Sequence, residues 1–327
     1  MPQRTQQLKE WLISLPEMAE FSLEPASGDA SFRRYFRVGI DGKSYIAMDA
    51  PPEKENTRPF VRIARAFEEI GLNVPHIHAW EPQQGYLLLG DLGTTLYLDR
   101  LDAVNVQRLY GDALGALATI QACGPRTDLP NYDRTLLMQE MELFRDWLLG
   151  RQLGLELSAD DHAMLDGTFA FLADNALTQP QVCVHRDYHS RNLMITDRQN
   201  PGILDFQDAV LGPVTYDLVS LLRDCYIAWP RSQVEDWAMG YFELAVQMGI
   251  LREEHEGQFL RWFDLMGVQR HLKASGIFAR LNQRDGKPGY LQDIPRTLGY
   301  ILELQQDYIQ LAPLGEMIQS VVLPALD

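Results

Sequence analysis

Cysteine is scarce in this chain of 327 residues, which has three, at Cys123, Cys183 and Cys225, and no Cys-x-x-Cys pair. Their odd number and wide spacing argue against a disulfide framework or a zinc site and favour a reducing compartment. The first residues have no apolar signal core, and no uninterrupted apolar run reaches membrane-spanning length. Internal repeats and low-complexity tracts are also absent. These absences predict a cytoplasmic protein with no membrane partner.

Basic residues are also in short supply, because 29 Lys and Arg face 45 Asp and Glu, for a net charge of −16. Nucleic-acid-binding proteins carry a basic face, so we expect no nucleic-acid partner. An acidic excess near a site would favour a cationic substrate, but solubility is the simpler explanation. The ordinary apolar and charged fractions are typical of a soluble globular protein, which we expect to be a monomer. The length is long for one core and fits two lobes.

The most informative stretch runs from Val182 to Asp208. An apolar Val-Cys-Val precedes a polar loop, an apolar Leu-Met-Ile follows it, and a turn then leads to another apolar step. This order predicts strand, loop, strand, turn and strand. Three side chains with acceptor oxygens leave this segment, namely Asp187, Asn192 and Asp205.

Phosphoryl transfer requires this kind of trio. One carboxylate accepts the proton of the attacking hydroxyl, which is the role we predict for Asp187. An amide oxygen and a second carboxylate, predicted to be Asn192 and Asp205, hold Mg²⁺ against the triphosphate of ATP. His-Arg-Asp at 185–187, four residues and then an Asn match the catalytic loop of protein kinases. The alternative is a polar loop whose Asp and Asn only cap turns.

These residues also resemble the aminoglycoside phosphotransferase-like kinases, whose loop reads His-Gly-Asp-x-His-x-x-Asn. His189 supplies the second His, and residues 214–218 resemble a later Asp-containing step of that family. The resemblance implies an α+β, two-lobed, protein-kinase-like fold with ATP in the cleft. We expect a small lobe with an antiparallel sheet at residues 1–90 and a larger, mostly helical lobe at residues 91–327.

A second resemblance extends over most of the chain. Residues 28–37, 48–53, 269–273 and 277–281 look like the anomeric N-acetylmuramate/N-acetylglucosamine kinases of bacterial cell-wall recycling. It implies an amino-sugar acceptor that is phosphorylated at its anomeric hydroxyl to the sugar 1-phosphate. Two rivals stay open. One is another small-molecule kinase of this fold, such as an aminoglycoside phosphotransferase, and the other is a nucleotide-binding pseudokinase.

The nucleotide-binding residues are predicted from a turn of small residues whose N–H groups can approach phosphate oxygens. The turn residues are Ser27, Gly28, Asp29, Ala30 and Ser31. An ordinary hairpin turn is the alternative. Where protein kinases have the phosphate-holding Lys of their third strand, this chain has Asp49, which repels phosphate. We expect Arg33 or Arg34 to replace that Lys, with Lys43 also nearby, although surface arginines on a strand would give the same pattern.

Substrate-binding residues are harder to predict. Glu140 lies on a predicted helix that could line a sugar site, although core packing better explains the aromatic residues of that helix. Apolar periodicity predicts later helices over residues 258–280 and 294–311, followed by a packed tail. On the first of these, Arg270 or Lys273 could bind the lactyl carboxylate of N-acetylmuramate. The alternative is a solvated helix face.

Overall fold

The N-terminal part of the chain forms a five-stranded antiparallel sheet with the strand order β1-β2-β3-β5-β4. The computed structural model describes residues 2–16, 18, 20–28 and 32–326. Asp41 and Gly42 both have positive φ, as the two-residue turn between β2 and β3 requires. The strands are β1 Ser22–Gly28, β2 Arg34–Ile40, β3 Lys43–Asp49, β4 Ile77–Glu81 and β5 Tyr86–Gly90.

Two helices pack against this sheet. Helix α1, Pro2–Ile13, buries Leu8 and Leu12 in a cluster with apolar residues of the sheet. Helix α2, Arg58–Glu69, begins with a proline in its first turn, where the missing N–H costs nothing. Its buried face contains Phe60, Val61, Ile63, Ala64 and Phe67.

A short hairpin from later in the chain joins this sheet-containing part. It consists of β7, Leu193–Met194, and β8, Gly202–Ile203. Backbone bridges connect Met194 to Leu96 and Gly202 to Asn73. Beyond the hairpin, the ring of Phe206 lies with its centroid 5.0 Å from that of Phe60 and 5.8 Å from that of Phe67. The hairpin is therefore fixed on the α2 side by both backbone and side chains.

The chain divides into two compact units. The first, here called the sheet unit, contains Met1–Tyr97 and Leu193–Asp208. The second, the helical unit, contains Leu98–Asn192 and Ala209–Asp327. Compactness defines these units, and the domain division at residue 90 stays a prediction.

The helical unit is built around its longest helix, α8, which is Glu256–Asp285. Besides the helices, it contains one antiparallel pair of strands, β6 and β9. Helix α4 continues directly into a π-helix, Phe144–Gln152. The elements are α3 Val106–Cys123, α4 Arg134–Leu143, α5 Ala159–Leu177, β6 Gln181–Val184, β9 Val210–Pro213, α6 Tyr216–Leu222, α7 Arg231–Gln247, α8 Glu256–Asp285, α9 Ile294–Leu304, α10 Ala312–Met317 and α11 Leu323–Leu326.

Helix α8 lies against α4, α5, α6 and α9 and has buried residues on all its sides. At Gly276 an added Cβ would lie 2.2 Å from the backbone of Leu143, so no larger residue fits there. The helix predicted over 258–280 is confirmed and extends further at both ends. Its burial explains why its basic residues are not a solvated face.

The end of the chain differs from the prediction. The single helix predicted over 294–311 is wrong, because α9 ends at Leu304 and a 3₁₀ turn, Ile309–Leu311, precedes α10. Within the described residues, Ile309–Leu326 is the one helical stretch long and apolar enough to cross a membrane. It contains Pro313 and Pro324 and is 33% buried. Core helices of soluble proteins have the same composition, so this stretch does not indicate a membrane span.

Candidate active site

The predicted catalytic loop lies between β6 and β7, and a buried carboxylate holds its start. Asp217, in the first turn of α6, accepts hydrogen bonds from the N–H groups of His185 at 2.6 Å and Arg186 at 2.9 Å. Arg186 has a φ of +79°, which side chains other than glycine rarely adopt. Burial raises the pKa of Asp217 to about 7, although the two N–H donors act in the opposite direction. Asp217 thus holds a strained turn directly before Asp187.

Within the loop, Asp187 and Asn192 are connected by hydrogen bonds. The Asn192 Nδ2 donates to the Asp187 carbonyl at 2.9 Å, which turns the amide oxygen away from that carbonyl. The N–H of His189 donates to the same carbonyl at 3.1 Å. The N–H of Ser190 donates to Asp224 Oδ2 at 2.9 Å, so a second buried carboxylate holds the middle of the loop. Two of the three predicted acceptor side chains therefore belong to one rigid turn.

The carboxylate of Asp187 is suited to accept a proton. Its surface is partly exposed to solvent, while protein surrounds the rest of the group. Burial alone raises its pKa, but the charges of Lys273 and His189 outweigh that effect, and the net shift is downward. A carboxyl group with a lowered pKa is ionised at neutral pH. Asp187 is therefore in the state that a general base requires.

Beside the loop, the buried Glu140 is the centre of a charged group that we call the Glu140 cluster: Glu140, Arg186, Lys273, Tyr132 and Tyr216. Glu140 Oε1 lies 2.9 Å from Lys273 Nζ and 2.5 Å from Arg186 Nη2. The hydroxyl of Tyr132 donates to Glu140 Oε2, and Lys273 Nζ donates to the Tyr216 hydroxyl at 2.8 Å. Burial acts to raise the pKa of Glu140, but the charges of Lys273 and Arg186 outweigh that effect, and its pKa is lowered overall. The ionised Glu140 thus anchors Arg186, the residue before Asp187.

These contacts bear on the predicted substrate residues. Glu140 and Lys273 already bind each other, and Arg270 is buried with its Nε 2.5 Å from Ser220 Oγ and its Nη1 3.5 Å from Cys225 Sγ. Sequence reasoning did not find the link from Glu140 to Arg186, because the two residues lie 46 positions apart. The substrate-binding roles of Glu140, Arg270 and Lys273 stay predictions.

In the sheet unit, Asp205 lies directly after β8. Its φ is +63°, and Gln207 Nε2, which stands where protein kinases have a glycine, donates to Asp205 Oδ1 at 2.7 Å. Arg33 Nη1 lies 3.9 Å from the same oxygen. Phe206 fixes this segment against α2 as described above. The carboxylate of Asp205 is 38% exposed, so a ligand can reach it.

The structure separates the two arginines that were predicted as substitutes for the strand lysine. Asp49, which is fully buried, binds Arg34 through its Nε at 3.0 Å and also binds Arg4 at 2.7 Å. Arg33 instead bonds Glu55 at 3.3 Å and approaches Asp205. Arg34 is therefore occupied in neutralising Asp49, and Arg33 lies at the predicted metal-binding carboxylate.

The predicted phosphate turn is described only in part. Gly28 pairs with Arg34 and Ser27 pairs with Tyr35 at the end of β1. Asp29, Ala30 and Ser31 lie outside the described residues. The backbone before the turn is thus a β-strand, with a shift in its pairing to β2 between Pro25 and Ser27.

The helical unit contains a kinase-type loop and the sheet unit contains an Asp-Phe segment, and both are sequence features of phosphotransferases. Residues 22–256 match the phosphotransferase enzyme family, and the chain belongs to that family. The resemblance predicted from the loop is thereby confirmed, and the chain is an enzyme that transfers phosphoryl groups.

Relatives that are similar over nearly the whole chain indicate which kind of phosphotransferase this is. A Pseudomonas putida protein is 48% identical over 97% of this chain and 96% of its own length. A Pseudomonas aeruginosa protein is 46% identical over 97% of each chain, and one from Neisseria meningitidis is 41% identical over 98% of this chain and 96% of its own. Each is named N-acetylmuramate/N-acetylglucosamine kinase.

Solved structures confirm the fold. Choline kinase LicA from Streptococcus pneumoniae matches with a TM-score of 0.65 at 13% identity, covering 91% of this chain and 98% of its own. The ADP-bound aminoglycoside phosphotransferase APH(2'')-Ib matches with a TM-score of 0.59 at 13% identity, covering 91% and 97%. The α+β kinase-like fold predicted from the sequence is therefore correct.

Proposed function

We propose that this chain is an ATP-dependent sugar kinase that phosphorylates the anomeric hydroxyl of N-acetylmuramate and N-acetylglucosamine. The product is the sugar 1-phosphate, as peptidoglycan recycling requires. The observation that carries the proposal is the near full-length identity of 41–48% to three kinases named for these two sugars. We further propose a cytoplasmic monomer that binds neither nucleic acid nor membranes, which its net charge of −16 supports.

Asp187 is the proposed general base. It accepts the proton of the anomeric hydroxyl while that oxygen attacks the γ-phosphorus, and the bond from phosphorus to the bridging oxygen of ADP breaks. Its lowered pKa, partial exposure and fixed backbone support this role. Catalysis then depends mainly on positioning the acceptor and neutralising charge.

Asn192 and Asp205 are the proposed protein ligands of Mg²⁺. Their chemistry fits, since an amide and a carboxylate offer the hard oxygen atoms that Mg²⁺ prefers, and the ion usually takes its other ligands from phosphates and water. Among the described residues, no group of three or more His, Cys, Asp or Glu side chains forms a metal site by itself. When bound, the ion neutralises charge that develops on the triphosphate.

The turn from Ser27 to Ser31, together with Arg33, is the proposed contact with the ATP phosphates. We expect Arg33→Ala to raise the KM for ATP about tenfold, because it removes a charge-assisted hydrogen bond. Arg34→Ala should change that KM less than about threefold, because Arg34 is bound to Asp49. Initial rates at saturating sugar, with melting temperatures as the check on folding, measure both. A larger effect at Arg34 than at Arg33 would contradict the assignment.

Phosphorus NMR of a reaction with ATP and N-acetylmuramate tests the proposed function. We expect a new sugar-phosphate resonance whose phosphorus couples to the anomeric proton. A parallel panel uses N-acetylglucosamine and cationic aminoglycosides as acceptors. Phosphorylation of the aminoglycosides and of neither amino sugar would overturn the proposal.

A further inference from the structure

N-acetylmuramate and N-acetylglucosamine differ by one lactyl ether, which gives the first sugar a carboxylate that the second lacks. We propose that Arg191 binds this carboxylate and sets the preference of the enzyme between the two sugars. The inference rests on the proposed function and adds a substrate-binding residue to it. It concerns residues of the helical unit alone.

The position of Arg191 in the sequence places it in the catalytic loop. It directly precedes Asn192, four residues after Asp187, in the loop whose backbone is fixed by hydrogen bonds. The side chain is partly exposed. The lactyl group is on C3 of the same ring whose C1 carries the hydroxyl that Asp187 deprotonates, so a cation of this loop is a suitable partner for its carboxylate.

Two aromatic rings hold the Arg191 guanidinium. Its carbon lies 4.5 Å from the ring centroid of Tyr226 and 5.3 Å from that of Tyr290. Tyr290 stacks on Phe278 with a centroid distance of 5.7 Å and an interplanar angle of 19°. Contacts through the guanidinium face, together with one hydrogen bond to Tyr226, leave the remaining N–H groups of its edge for a planar anion. A side chain held in this way loses less freedom when it binds.

One buried carboxylate fixes both the loop and the first of these rings. Asp224 Oδ2 accepts from the N–H of Ser190 at 2.9 Å, and Asp224 Oδ1 accepts from the N–H of Tyr226 at 2.9 Å. The residue before Arg191 and the ring that Arg191 packs against are therefore held by the same group. Arg191 is consequently preorganised and is not a mobile surface arginine.

The charge balance around the loop also favours Arg191. Lys273 and Arg186 share the carboxylate of Glu140, as described for the Glu140 cluster. Arg191, in contrast, forms no salt bridge with any residue that the structure describes, and the acid that attracts it, Asp293, bonds Arg296 at 2.8 Å. The guanidinium of an arginine stays charged in proteins. A substrate carboxylate would complete this arrangement.

The test compares kcat/KM for three acceptors: N-acetylmuramate, its methyl ester and N-acetylglucosamine. For Arg191→Met we expect kcat/KM with N-acetylmuramate to fall about 30- to 100-fold, mainly through KM, because a bidentate ion pair is lost. With N-acetylglucosamine the value should stay within about threefold. The wild type should prefer the acid to the ester, and the variant should not distinguish them. Arg191→Lys should recover part of the preference.

Arg261→Met is the matched control. Arg261 also packs over two rings, those of Phe171 and Tyr308, and its position on α8 is about 18 Å along the helix from Lys273. Its kinetics should equal those of the wild type with all three acceptors. This control separates the general effect of losing an arginine packed on aromatic rings from the specific effect of losing Arg191.

The possible outcomes are distinct. Equal losses with both sugars would overturn the inference, because Arg191 would then act on the loop or the nucleotide. An unchanged kcat/KM for N-acetylmuramate in Arg191→Met would also overturn it. A wild-type protein that phosphorylates neither sugar contradicts the proposed function itself, and the inference falls with it. A loss of kcat/KM that is confined to N-acetylmuramate supports both the proposed function and the role of Arg191.

Discussion

Asp187→Asn is expected to lower kcat about 10²- to 10⁴-fold, the usual contribution of a general base. The change keeps the shape of the side chain and leaves the backbone carbonyl that accepts from Asn192 and His189. It removes the group that takes the proton from the anomeric hydroxyl. The KM for ATP should change little, because Asp187 acts on the acceptor. Steady-state rates with N-acetylmuramate, together with equilibrium nucleotide titration, measure both quantities.

The matched control is Asp236→Asn, an exposed carboxylate on α7 in the same unit. Its rate should be that of the wild type. If Asp187→Asn keeps more than about a tenth of the wild-type kcat, the base is another group. Loss of nucleotide binding together with turnover would instead indicate a damaged loop.

The catalytic loop could be predicted from the sequence because its information is local. Asp187 and Asn192 are five residues apart and a hydrogen bond within the loop links them, although Asp217 and Asp224 also hold the loop from outside it. The flanking strands also carry local signals, namely short β-branched and apolar runs bounded by polar residues. The β2–β3 hairpin was equally readable, because Asp-Gly specifies a two-residue turn.

The packing of α8 could not be predicted in the same way. Arg270 and Lys273 were expected on a sugar-binding or solvated face because basic residues are seldom buried. The structure buries both, since long-range partners satisfy them: Ser220 lies 50 positions before Arg270, and Glu140 precedes Lys273 by 133 positions. Pairings across such separations leave no periodicity in a single sequence. Gly276, where the helix passes the backbone of Leu143, was the available local signal of close packing.

The attachment of residues 193–208 to the sheet unit could not be predicted from the sequence either. The apolar runs predicted the β7–β8 hairpin, but not the bridges from Met194 to Leu96 and from Gly202 to Asn73. These are backbone contacts, which depend on no side-chain pattern. The same limit applies to the roles of Arg33 and Arg34, which are adjacent in sequence and could be told apart only by their partners Glu55 and Asp49.

Glu140→Gln is expected to destabilise the protein by about 3–5 kcal/mol, because it leaves the buried Lys273 and the half-buried Arg186 without their carboxylate. Lys273 and Arg186 both bind the Oε1 atom of Glu140. Glu254→Gln is the matched control, since its salt bridge with Arg252 is exposed, and it should cost no more than about 0.5 kcal/mol. Urea unfolding followed by tryptophan fluorescence measures both free energies.

The double variant Glu140→Gln, Lys273→Met distinguishes a charge cluster from ordinary packing. If Glu140 stabilises the fold by compensating Lys273, removing the lysine as well relieves part of the penalty, and the double variant should lose less than the two single variants summed. Additive losses would contradict the cluster. Glu140 also anchors Arg186, which has a φ of +79° and directly precedes Asp187. The Glu140→Gln variant should therefore lower kcat even where it is fully folded. Full kcat in folded Glu140→Gln would show that Asp217 alone holds the turn.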